Sequence, residues 1–210
     1  MKPHELYRQE QSMKIALKMK HQQYCDYFYR DCLGKRYNTF MKMFRYLDTI
    51  PNPLIVETGI SRMLNNYMGD GHSTLLFDEY LNFFKESGQL ISIDIDKHNC
   101  LFTAQLLSNK SKVICSDSIS ILHHLSTDSS FTKIDLLYLD SYDLDWKNPH
   151  PSALHSIKEF LAIYPKIKPG TLVVIDDNNK GIGNGTYVVD YMNNINKRPY
   201  FDEYQIGWIW

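Results

Sequence analysis

From residue 54 onward the chain alternates short, solid apolar runs with longer amphipathic segments. The runs are Leu54-Ile55-Val56, Leu90 to Asp94, Lys112 to Cys115, Asp135 to Leu139 and Thr171 to Ile175. Runs of this kind predict strands buried on both faces. The spacing between them predicts helices over 73–86, 97–108, 119–125, 151–164 and 187–194. A last strand is predicted over 204–210, where Trp208 and Trp210 alternate with Ile209. Five β-α alternations predict an α/β fold, a doubly wound, mostly parallel sheet with helices on both faces. Residues 1–50 follow another rhythm. Leu6, Met13, Leu17, Tyr24, Tyr27 and Phe28 recur near helical spacing, and Phe40, Met43, Phe44 and Leu47 do so after Gly34. Two or three helices are expected there, stopped by Pro51 and Pro53. The expected division is an N-terminal helical cap, 1–50, over the strand-end cleft of a domain at 51–210.

Length and composition narrow the class. The 210 residues, 43% hydrophobic and 22% charged, suit a globular domain with an appendage. No apolar run approaches the roughly 18 residues of a membrane helix, and the first residues lack the apolar core of a secretion signal. Cys25, Cys32, Cys100 and Cys115 form no CxxC pair. Reduced thiols and a cytoplasmic location are therefore expected. The net charge of −1 hides an asymmetry: residues 1–50 carry 10 Lys/Arg against 5 Asp/Glu. A basic, aromatic front is either a nucleic-acid footprint or a solvated helical face. The scattered charges favour the second.

In a doubly wound sheet, ligands bind at the carboxyl ends of the strands. Here those ends are acidic: Glu57, Asp94 with Asp96, Asp117-Ser118, Asp140 with Asp143, and Asp176-Asp177. Each alone reads as a loop residue or helix N-cap. Together on one edge they repel, and call for a metal, a cation or ribose hydroxyls. The nicotinamide fingerprint GxGxxG is absent, because Gly59, Gly69 and Gly71 lie too far apart. An acid closing the first strand suits a cationic ligand better than a pyrophosphate.

The order Val-Glu-Thr-Gly, Gly-Asp-Gly-His-Ser-Thr, Ser-Ile-Asp-Ile-Asp, Asp-Ser, Leu-Asp and Val-Val-Ile-Asp-Asp over residues 54–178 resembles the class I S-adenosylmethionine-dependent methyltransferases. Within them it is most similar to the metal-dependent O-methyltransferases of the catechol and macrolide-sugar types. The resemblance implies that Glu57, Gly59, Gly69, Gly71 and Ser73 line the methionine part of S-adenosylmethionine. It implies that Asp94 takes the ribose hydroxyls, with Asp117 and Ser118 at the adenine. Asp140, Asp176 and Asp177 would hold one Mg2+, a hard cation that prefers oxygen. The implied reaction is methylation of a hydroxyl on a small molecule or sugar.

This chain departs from the pattern in three places. Nine residues separate Gly59 from Gly69. Asp143 stands three residues past Asp140, where the resemblance places a Lys or His base, so His150, His155 and His72 are further candidates for that role. His155 and Glu159, four apart on a helix, share a face; a surface pair is the plain alternative. Only one strand is predicted after the fifth, so the antiparallel partner usual in the family is either absent or supplied by a second subunit of a homo-oligomer. Two rival readings stand beside the small-molecule enzyme. One is an RNA or protein methyltransferase using the basic front. The other is a non-catalytic cofactor-binding or scaffold protein of the same fold.

Overall fold

The computed structural model describes residues 20–69 and 72–210. Among the described residues two helices come first, α1 (His21–Phe28) and α2 (Tyr37–Asp48). The parallel strands are β1 (Leu54–Thr58), β2 (Gln89–Asp94), β3 (Ser111–Cys115), β4 (Leu136–Leu139) and β5 (Leu172–Ile175). Helices α3 (Ser73–Phe84), α4 (Lys97–Ala104), α5 (Ser118–Thr127) and α6 (His150–Ile163) connect them. A small hairpin of β6 (Asn178–Asn179) and β7 (Ile182–Gly183) follows, then α7 (Thr186–Asn194), β8 (Phe201–Asp202) and β9 (Ile206–Ile209). The expected helix at Leu6, Met13 and Leu17 lies outside the described residues, as does Gly71.

The main sheet has the order β3-β2-β1-β4-β5-β9-β8. Its first five strands are parallel; β9 runs antiparallel to β5, and β8 antiparallel to β9. The doubly wound, mostly parallel α/β sheet expected from the apolar runs is therefore present. The missing antiparallel partner is a correction: the chain supplies it itself as Phe201–Asp202. Two residues of strand next to Pro199 give no readable alternation, which hid it. The Phe201 ring lies across Gly207, where a Cβ would stand 2.6 Å from it.

Period two sorts the strand residues onto two faces. Ile55, Leu90, Leu136, Tyr138, Leu172 and Val174 share one buried cluster with Tyr24, Phe40, Phe44 and Phe77 from α1, α2 and α3. Val56, Ile93, Leu137, Leu139, Val173 and Ile175 share the other with Leu122, Phe160 and Val188 from α5, α6 and α7. Phe40 stands 5.7 Å from Phe77 and 6.0 Å from Tyr138, ring centre to ring centre. The helices of residues 21–48 are thus continuous with one layer of the sandwich. No described helix is long and apolar enough to cross a membrane.

Candidate active site

The same period that builds the core also places the polar groups. On the face covered by α1–α3, the apolar series in β1 runs on to Glu57, that in β2 to Ser92 and Asp94, that in β4 to Tyr138, and that in β5 to Asp176. Strand register aligns Glu57 with Ser92 on one side and Tyr138 on the other. At the carboxyl ends of β1, β4 and β5 a cleft of about 340 Å3 opens, lined by Arg36, Gly59, Arg62, Met63, Ser73, Asp140, Asp143 and Asp177 among others. Gly59 sits at φ +80°, and a Cβ there would stand 2.1 Å from the Asp140 carbonyl oxygen. Only glycine lets the loops after β1 and β4 approach this closely. Gly69 also lines the cleft.

Glu57 is wholly buried beneath the cleft floor. Its carboxylate accepts hydrogen bonds from the Ser73 hydroxyl and, at 2.7 Å, from Ser92 Oγ. Burial pushes its pKa up to about 7, against the pull of Ser73, Ser92 and Thr74. Ser73, the first residue of α3, is the group through which Glu57 reaches the cleft. Asp94 ends β2 and accepts the Asp96 backbone N–H at 2.7 Å. Burial holds its pKa above the usual carboxylate range, opposed by backbone N–H groups of Asp96 and Ile60. Beside it Ile95 is 74% exposed, an apolar side chain next to the candidate ribose acceptor. Asp117 caps α5, taking Ser120 N at 2.8 Å and Ser120 Oγ at 2.7 Å. Those bonds lower its pKa, and one of its oxygens is thereby used as a helix cap.

The third group contains what the local pattern did not reveal. Asp176 is fully buried. Its Oδ2 accepts Arg36 Nε and the Tyr138 hydroxyl, both at 2.8 Å, and its Oδ1 accepts Asp177 N at 2.8 Å. After β5 the backbone turns, with Asp177 at φ +52°. Asp177 Oδ1 accepts the Tyr204 hydroxyl at 2.5 Å and lies 3.7 Å from Arg36 Nη2. Asp140 lies near both acids at the end of β4. Burial first, then the charges of Asp176 and Asp177, hold the Asp140 pKa well above the carboxylate range, against Arg36. Burial opposes the charge of Arg36, but Asp176, Tyr138 and Asp140 outweigh it and raise its pKa. The three acids do converge, and the cation among them is a guanidinium from the turn before α2.

A metal fits these residues poorly as they stand. Both Asp176 oxygens are engaged, and one Asp177 oxygen is held by Tyr204. Among the described residues no group of three or more His, Cys, Asp or Glu side chains is arranged to hold an ion. S-adenosylmethionine fits better. Its sulfonium and ammonium suit a row of strand-end carboxylates, and Gly59 lines the cleft beside Asp140.

The candidate bases are dispersed. Asp143 lines the cleft but is 81% exposed and ion-paired with Arg62 at 2.7 Å, which raises the arginine's pKa. His150 is exposed and bonded to the Tyr187 hydroxyl. His155 lies on the other face of the sheet, its Nε2 3.2 Å from Ser118 Oγ and 3.3 Å from Glu159. The hydrogen bond to Glu159 raises its pKa. Glu159 is not a surface residue: it is fully buried and accepts Ser141 Oγ at 2.6 Å and Thr58 Oγ1 at 3.2 Å. Ser118, expected at the adenine, spends its hydroxyl on His155. His72 Nδ1 pairs with Ser61 Oγ at 3.0 Å.

Five parallel strands in this order, closed by an antiparallel pair and edged with acids, define the Rossmann-like methyltransferase fold. Two solved structures, CalS11 and NovP, agree. CalS11, a TDP-rhamnose 3′-O-methyltransferase of calicheamicin biosynthesis, matches 100% of this chain and 96% of its own at 14% identity and a TM-score of 0.55. The O-methyltransferase NovP matches 83% of this chain and 79% of its own at 14% identity and a TM-score of 0.56. MycE, a mycinamycin-pathway methyltransferase in complex with Mg, SAH and mycinamycin VI, matches 68% of this chain at 21% identity and a TM-score of 0.47. The chain spans about a third of that protein, 34% of its length. No family model matches the sequence, and no curated protein does.

Proposed function

We propose that the protein is an S-adenosylmethionine-dependent methyltransferase that methylates a hydroxyl of a small molecule or sugar. The observation that carries this is the run of acids at neighbouring strand ends, Glu57 in β1, Asp94 ending β2 and Asp140 after β4, with Asp140 and Gly59 lining one cleft beside Ser73, the partner of Glu57. The TDP-rhamnose on which CalS11 acts supports a sugar hydroxyl as the acceptor. The cofactor would bring the electrophilic methyl group on its sulfonium. Displacement at that carbon needs alignment more than covalent help, so positioning by the chain supplies most of the rate. Asp94 would accept the ribose hydroxyls, and Ile95 would lie against the adenine. Glu57 would hold Ser73 and keep a negative charge under the methionine portion. Asp140, in the cleft wall beside Gly59, would face the acceptor together with Asp143 and Asp177.

Calorimetry with S-adenosylmethionine tests the reading. The wild-type chain should bind it, and Asp94→Ala should bind at least tenfold more weakly. Losing a charge-assisted acceptor costs about 1.5–3 kcal/mol, and tenfold is about 1.4 kcal/mol. Equal affinity in a folded variant would remove Asp94 from the ribose, and absence of wild-type binding would sink the methyltransferase reading.

A further inference from the structure

We propose that Arg36 takes, in this chain, the place of the divalent ion that the metal-assisted O-methyltransferase pattern implies, so that the carboxylates after β4 and β5 hold no resident metal. The site itself is the one assigned above, so the inference rests on that reading for its catalytic meaning.

Clustered acids that stay ionised need a positive partner. Arg36 supplies it from 2.8 Å at Asp176 and 3.7 Å at Asp177, and it lines the same cleft as Asp140 and Asp177. It is no surface side chain swung inward, being only 6% exposed. A closed circuit of buried groups fixes it. The one hydroxyl proton of Thr39 is shared between the Arg36 carbonyl oxygen, 2.9 Å away, and Gln205 Oε1. Gln205 Nε2 donates to the Tyr138 hydroxyl at 2.6 Å. Tyr138 in turn donates to the Asp176 oxygen that Arg36 Nε reaches. The Tyr204 ring stacks on the guanidinium, 4.8 Å from ring centre to Cζ. A divalent ion at these acids would have to break that circuit or face a like charge at short range, where water screens poorly. Arginine stays protonated at any working pH. Its charge is therefore permanent, where a metal's depends on supply.

The test uses Mn2+ as the probe, with free ion read by its paramagnetic resonance in the presence of the full chain. Wild-type protein should leave the free Mn2+ signal undiminished, and MgCl2 should not shift its melting temperature. Arg36→Ala uncovers the carboxylates and should bind Mn2+ at least tenfold more tightly than wild type. Arg36→Lys keeps the charge and should behave as wild type; it stands in if the alanine variant does not fold. One Mn2+ bound per wild-type chain, lost in Asp176→Asn, would overturn the proposal. So would a folded Arg36→Ala with no gain in Mn2+ affinity, or an Arg36→Lys that gains as much as an alanine. Binding of S-adenosylmethionine is measured apart, so failure of the methyltransferase reading is not confused with failure of the metal inference.

Discussion

Replacing Glu57 by glutamine should stabilise the protein at alkaline pH and leave it unchanged at acid pH. The Glu57 carboxyl is fully buried, and burial sets its folded-state pKa at about 7 against an ordinary 4.5. A raised folded pKa means that the folded chain binds the proton more tightly than the unfolded one. The resulting stability is fully present below about pH 4.5 and is lost as the pH rises through 7. At about 1.4 kcal/mol per tenfold in proton affinity, the loss between these limits is on the order of 3 kcal/mol. Glutamine imitates the protonated acid and avoids the loss. Its amide can accept from one of Ser73 and Ser92 and donate to the other, since hydroxyl hydrogens rotate. In a chain of this size 1 kcal/mol moves the melting temperature by about 2–4 °C. Glu57→Gln should therefore melt roughly 6–12 °C above wild type at pH 8.5 and within a degree or two of it near pH 4.5. Calorimetric scans across that range decide the matter. A difference that does not change with pH would refute the buried-acid account. The same variant should bind S-adenosylmethionine more weakly above pH 7, because the cation loses its buried counter-charge.

Gly59→Ala should cost several kcal/mol, since φ +80° and the 2.1 Å approach to the Asp140 carbonyl leave no room for a methyl group; a denaturant midpoint within error of wild type would contradict this. His155→Gln should destabilise more at pH 6 than at pH 9. The His155 pKa is raised, chiefly by its hydrogen bond to Glu159, so its stabilising charge is present at low pH and lost as pH rises through that value; parallel melting curves at the two pH values would count against it. Phe40→Ala, at the contact with Phe77 and Tyr138, should lose about 3–5 kcal/mol. A near-neutral result in urea unfolding would mean that α2 is an ornament on the sheet rather than part of its core.

The sheet was legible because β1, β2, β4 and β5 are solid apolar runs, and a run of that kind has few other uses. Their last residues were legible as ligand candidates because position in a doubly wound sheet carries chemistry. Arg36 was not legible. It follows Gly34 and Lys35 in a basic segment where most charges are solvated, and its partner Asp176 lies 140 residues away. Nothing within a helical turn of it signals burial. Glu159 looked like half of a surface pair for the same reason: Thr58 and Ser141, which bury it, come from other elements. Tyr138 read as one more apolar residue of a strand, yet its hydroxyl is the hinge of the Arg36 circuit. Pairwise spacing finds neighbours on one element and is blind to polar partners joined only by the fold.

The circuit of Arg36, Thr39, Gln205, Tyr138 and Asp176 also carries a consequence for biosynthesis. Its longest link, Thr39 to Gln205, spans 166 residues. Chains lengthen at about 5–20 residues per second, so roughly 8–33 s pass between the synthesis of Thr39 and that of its partner. For most of that interval, until Asp176 is made 140 residues after it, the nascent segment carries a guanidinium destined for burial with nothing to receive it. Contacts so distant in sequence form late, after the cost of closing long loops has been met. A ribosome-stalled chain ending before Gln205 should hold a sheet whose first strands are in place and whose acidic cleft is still unassembled. An assembled cleft therefore waits on the synthesis of Gln205, and a chain stopped short of that residue is folded only in part.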